Sequence, residues 1–186
     1  MVPVVNPLEG VAKLLGLTYV PGALEKMGVT VAAGLPASWS SVVTGTVDGV
    51  PVRVTASGEQ NRVSFYYGAS FPRRGVDLDI RRRTVVDALL WGRGRSPVTV
   101  GTPLDGRIVV RTTRPETVVA LLTHSTSEAI LSLADRLPSF VIRDGNIEGV
   151  DRRSRMRMPE PTEVAAVVRR CVRVATELNP ERSTAA

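Results

Sequence analysis

Apolar residues in "PTEVAAVVRRCVRVATEL" recur every three or four positions, at Val164, Val167, Val168, Cys171, Ala175 and Leu178. That spacing predicts an amphipathic helix, with Arg169, Arg170 and Arg173 lying away from the stripe. "NPLEGVAKLLGL" predicts a second helix, punctuated at both ends. Asn6 can cap its first turn, Pro7 suits the first helical position and Glu9 has capping-box spacing. Gly16 can end it in the left-handed conformation.

Elsewhere the period drops to two. In "SVVTGTVDGVPVRVTAS" two β-rich runs flank Asp48-Gly49, a dipeptide that tolerates the positive φ angles of a type I′ turn. "RVSFYYG" puts Val63, Phe65 and Tyr67 on one face, and in "VDLDIR" Val76, Leu78 and Ile80 alternate with Asp77, Asp79 and Arg81. These runs predict an antiparallel meander with one buried face. "SFVIRDGNIEGV" predicts a second hairpin around Asp144-Gly145, and "PVTVG" and "GRIVVRT" predict strands. "TVVDALLWG" reads as a short apolar helix or a buried strand, and "PGALEKMGVTVAAGLPASWS" as loop and short helix. Thr113 with Glu116, and Ser125 with Glu128, have capping-box spacing and open two successive helices.

Strands and helices in separate runs predict an α+β fold with a largely antiparallel β-meander sheet. An N-terminal helix, a central helix pair and the C-terminal amphipathic helix would pack it. No low-complexity linker or solenoid-length repeat divides the chain, so residues 1–180 are expected to form a single domain and residues 181–186 a frayed tail.

Composition adds limits. A hydrophobic content of 43% in 186 residues is enough for a core and excludes a disordered chain. No apolar run approaches the ~18 residues needed to cross a bilayer. The N-terminus lacks the basic and apolar regions of a signal peptide. Cys171 is the lone cysteine, so the chain can make no internal disulfide, and a cytoplasmic location is expected. The net charge is +6, and all but two of the 24 basic residues are arginine. An anionic partner would explain that charge. Abundant Arg, Ala, Val, Gly and Pro is also what a GC-rich genome produces.

Candidate chemistry is sparse. With only His124 and Cys171, no His/Cys metal cluster can form within one chain, and no cofactor is expected. Asp77 and Asp79 would point the same way on a strand, but without a third ligand they describe a solvent face. Gly92-x-Gly94 is followed by Pro97 where a dinucleotide fingerprint needs glycine. Cys171 reads as a small buried hydrophobe.

The run "DRRSRMRMPEP" raises the sharpest question. As a strand over 149–158 it sets Arg153, Arg155 and Arg157 on one face and Ser154, Met156 and Met158 on the other, with Arg152 joining the Ser/Met side. A half-buried edge strand, bulged near Gly149, explains the pattern structurally. The functional alternative joins Arg153, Arg155 and Arg157 to Arg81, Arg62 and Tyr66 as an anion or nucleic-acid surface. Arg53, Arg82 and Arg83 are further candidates. Aspartates on the same face would weaken its field, and 4% aromatic content is too low for a base-stacking platform.

"VGTPLDGRIVVRTTRPETVVALLT", followed by a helix and then "VIRDGNI", resembles uncharacterised bacterial α+β domains over about residues 45–178. Leu104-Asp105 stands where that pattern has Phe-Asp, and Thr102 where it has Asp. The resemblance implies the order of elements and no catalytic residue.

The first functional expectation is a non-enzymatic accessory or assembly module that docks on protein, either as a homo-oligomer or in a larger complex. The apolar segment 27–43 also points that way. An electrostatic binder of nucleic acid or an anionic lipid surface comes second. An enzyme using carboxylates such as Asp77 and Asp79 comes third.

Overall fold

The computed structural model describes residues 6–22, 38–59, 62–72, 78–83, 104, 106–154 and 157–179. Along the chain these form α1 (Pro7–Leu15), β1 (Thr18–Val20), β2 (Ser38–Val47), β3 (Val50–Glu59), β4 (Arg62–Ser70), β5 (Leu78–Arg82) and β6 (Ile108–Thr112). Then come α2 (Pro115–Leu121), α3 (His124–Ala134), β7 (Ser139–Arg143), β8 (Asn146–Ser154) and α4 (Pro161–Glu177). The α+β architecture is as expected. "TVVDALLWG", "PVTVG", Asp77, Arg155, residues 27–37 and the C-terminal tail lie outside the described residues.

The strands form one eight-stranded sheet in the order β1-β2-β3-β4-β8-β7-β5-β6, with every pairing antiparallel. Both hairpins form where Asp-Gly predicts them. Asp48 and Gly49 have φ of 48° and 72°, and Asp144 and Gly145 have 52° and 77°. The meander is continuous only through β4. The β7–β8 hairpin is then inserted, so β5 pairs with β7 and β6 and never touches β4. Alternation fixes which face a residue takes but carries no information on its strand's neighbour.

One face of the sheet is covered by helices. α4 lies over β3, β4 and β8, with α1 on one flank and α3 on the other. The predicted stripe of α4 is buried throughout. Arg169 and Arg173 are exposed as expected, but Arg170 is half-buried and donates to Ser132 Oγ of α3 at 3.4 Å. Gly149 is required beneath this layer, since a Cβ there would stand 2.4 Å from Leu137 Cδ1.

Helix starts follow the sequence unevenly. Asn6 Oδ1 accepts from the Leu8 N–H at 3.0 Å, while its amide donates to Ser41 Oγ at 2.9 Å and Tyr19 Oη at 3.0 Å. One buried side chain thus caps α1 and ties it to β2 and β1. Gly16 ends the helix at φ 64°. Glu9 Oε1 accepts from Lys13 at 2.9 Å. The other two predicted boxes do not form. α2 begins after Arg114 with no side-chain cap, and Thr112 Oγ1 accepts the Arg114 N–H. α3 is capped by Thr123, which leaves Ser125 to donate to Glu177 Oε1 of α4 at 2.8 Å. Among the described residues, no single helix is long and apolar enough to cross a membrane.

Candidate binding face

Residues paired across antiparallel strands share a face, so register assigns every side chain of the sheet. Val52, Val54, Val63, Phe65, Tyr67, Ala69 and Ile147 face the helices and are buried. The opposite face holds the intervening residues of the same strands. Among the described residues no helix packs on its β3, β4, β8 and β7 portion.

The arginine run divides between the two faces. β8 is a central strand that ends at Ser154, and its pairing with β4 and β7 continues through Gly149 without a bulge. Because Ile147 must face the core, Asp151 and Arg153 point the same way, opposite Phe65 and Val63. The alternation therefore holds with the opposite sense: Arg153 is on the covered side and Arg152 on the open side. Arg153 Nε donates to Asp151 Oδ2 at 2.8 Å, and its Nη1 donates to Glu163 Oε2 of α4 at 2.8 Å. Burial opposes the Arg153 charge, but these two carboxylates outweigh it and raise the guanidinium pKa. Arg157 is exposed in the connection to α4, away from any strand.

On the open face, register separates the remaining candidates. Asp79 lies opposite Arg143 on β7 and Arg111 on β6, and it forms an ion pair with Arg143. Arg81 is half-buried between Val141 and Val109. Arg62 and Tyr66 share the β4 surface as expected. Arg152, on β8, lies opposite Ser64, so it is the diagonal neighbour of both Tyr66 and Arg62. The three form a zigzag, Tyr66–Arg152–Arg62, with ~7–8 Å between diagonal neighbours.

Beside Tyr66 the surface sinks into a trough of about 370 Å³ crossing β3, β4, β8 and β7. Arg53, Thr55, Tyr66, Ser139, Val141, Glu148 and Val150 line it, with Gly68 as its floor. Arg53 and Glu148 stand on either side of Gly68 in the same cross-strand row. Among the described residues, neither has an ion pair or side-chain hydrogen bond, and the same holds for Arg62 and Arg152.

Gly68 is the unexpected member. Its φ is not positive, and among the described residues a Cβ would meet only the Arg53 carbonyl oxygen at 3.5 Å and Arg53 Cβ at 3.9 Å, ordinary contacts. Neither backbone conformation nor packing requires glycine there, in contrast to Gly149. A side chain at this position would fill the trough. Sequence reading did not single out Gly68 or Glu148 and set Arg152 on the Ser/Met side, although a glycine inside "RVSFYYG" is the signal that marks close approach to a strand.

The other reactive groups lie elsewhere. Cys171 is buried, and burial pushes its thiol up to about 12. Desolvation, followed by the negative charge of Asp151, raises the Tyr67 hydroxyl well above its usual range. His124 is exposed at the start of α3, with Nε2 3.3 Å from Glu128. Among the described residues no three His, Cys, Asp or Glu side chains group as metal ligands. No protein family, curated protein or solved structure matches the chain.

Proposed function

We propose that this protein is a non-enzymatic accessory module that docks on a protein partner through the open face of its sheet, seating part of that partner in the trough. The observation that supports this most is Gly68. Glycine inside a strand costs roughly 0.5–1 kcal/mol relative to alanine. Among the described residues nothing offsets that cost, which fits a surface kept clear for something else. Among the described residues the trough is open along the sheet face, so it covers less of a small molecule than an enclosed ligand pocket does. A macromolecular segment can make up the missing enclosure. Glu148 in the wall repels a phosphate chain, and its neighbour Arg53 attracts acidic groups. A polypeptide carries both signs. The proposal places the module in the cytoplasm, where its partner is a larger complex or a second copy of the chain.

Gly68→Thr tests this, because it fills the trough with a residue suited to a strand. The variant should fold with stability unchanged or raised by up to ~1 kcal/mol. Partner capture from lysate and light scattering of the pure protein would then be compared with wild type. A partner or self-association lost in the variant supports the reading. Equal capture by both proteins, or a strict monomer that retrieves nothing, refutes it.

A further inference from the structure

We infer that the segment received by the open face is an extended, acidic stretch of polypeptide, with carboxylates at alternate positions reaching Arg152 and Arg62. The inference rests on the trough reading and adds the chemistry of the partner. The trough spans the rows of Gly68 and Tyr66; moving along β4 and β8 toward the Arg62 end, the next row holds Ser64 and Arg152 and the following row Arg62 and Ser154. An extended chain places alternate side chains ~6.8 Å apart, and diagonal neighbours on a sheet are ~7–8 Å apart. Two acidic residues separated by one therefore match the two guanidiniums, with a residue before or after them in the trough.

Charge pairing on the two faces sharpens the assignment. Asp79 engages Arg143, and the covered-face carboxylates Asp151 and Glu163 engage Arg153. Among the described residues Arg62 and Arg152 receive no such partner, although both are exposed. Arg62 stands at the end of β4, opposite Ser154 of β8. Arg152, opposite Ser64, lies one row nearer the trough, which makes it the stronger contact. Arginine suits the role, since its planar fork binds a carboxylate through two parallel hydrogen bonds.

The test is selection of a phage-displayed library of random short peptides on the immobilised full-length chain. Enrichment of acidic residues at alternate positions beside an apolar residue is expected. The enriched peptide, synthesised and labelled, should bind about fivefold more weakly to Arg152→Gln and about threefold more weakly to Arg62→Gln, within the range of exposed ion pairs. Arg173→Gln, which removes an exposed charge on α4, should leave binding unchanged. Gly68→Thr should abolish it. Far-UV circular dichroism melts establish that each variant folds.

Peptides enriched without acidic preference, or equal weakening by Arg173→Gln, overturn the inference; the trough reading survives if Gly68→Thr still abolishes binding. No enrichment, or binding indifferent to Gly68→Thr, removes both. Tight binding of a labelled oligothymidylate that Arg152→Gln weakens, with no acidic peptide selected, would assign the arginines to nucleic acid instead.

Discussion

Replacing Arg153 by methionine separates a structural arginine from a recognition arginine. The substitution keeps an unbranched chain of similar reach but removes the guanidinium from between Asp151 and Glu163. Asp151 is only 7% exposed and would be left facing the helices with a charge and no cation. Removing one partner of a fully buried pair costs ~3–5 kcal/mol. Here the Arg153 side chain is 33% exposed and that of Glu163 is 49% exposed, so water can solvate part of what is stranded. We expect a loss of ~2–3 kcal/mol, a discounted value within the same framework. Asp151→Asn should cost ~1 kcal/mol, since one charged hydrogen bond becomes neutral. The double variant should lose less than the two single losses combined, with a coupling of ~1–2 kcal/mol. Urea denaturation followed by far-UV circular dichroism measures all three, with the denaturant slope unchanged. A loss below ~0.5 kcal/mol for Arg153→Met, the range of ordinary surface substitutions, would refute the assignment and return Arg153 to the open face.

Other expectations follow from the covered face and the helix ends. Cys171→Ser should destabilise the fold by ~1–3 kcal/mol, and native Cys171 should react with a thiol reagent no faster than the protein opens. Its folded pKa is raised, so its contribution to stability is complete below the unfolded value of 9.0 and is lost as pH rises toward about 12; alkaline denaturation of wild type and Cys171→Ala should diverge in that window. Asp135 is held below 3.8 first by its hydrogen bond from Arg107. The associated stability is present above that pH and falls away as acid protonates the carboxyl in the folded state; Arg107→Gln should move the Asp135 titration back upward in an NMR measurement. Asn6→Ala removes a cap and strands Ser41, and should cost ~2 kcal/mol by chemical denaturation.

How much of this was legible depended on whether a feature is local. The two Asp-Gly hairpins, the ends of α1 and the stripe of α4 each rest on residues within a few positions of one another, and all appear where the sequence places them. The insertion of β8 beside β4 was not legible, because no residue in either strand names its neighbour. The capping box predicted at Ser125 failed because other partners were nearer: Thr123 caps α3 and Ser125 donates to Glu177.

The candidate site shows the same division more sharply. Arg62 and Tyr66 were placed correctly together because period two operates within β4. Arg153 and Arg152 exchanged faces because parity in β8 is set from Ile147, upstream of the arginines, where the sequence reading had no anchor. A shift of one residue moves every side chain of a strand to the other face. The trough was illegible for a further reason, since Gly68, Arg53 and Glu148 come from three strands and meet only through register.

The open face has a residue choice that mere solvation does not require. A solvated sheet face is commonly built with long charged residues and threonine, which combine water contact with strand preference. Here Ser40, Ser57 and Ser64 occupy one row across β2, β3 and β4, level with Arg152, and Gly68 lies in the row beyond Tyr66. Serine and glycine add neither branching nor apolar surface to the sheet, but they keep it flat and have little side-chain entropy to lose when covered. Arginine and tyrosine at the margin are the residue types that dominate binding energy once water is excluded. The face is thus costly where only the fold is considered and inexpensive to cover, a combination that favours contact with a partner over exposure to solvent alone.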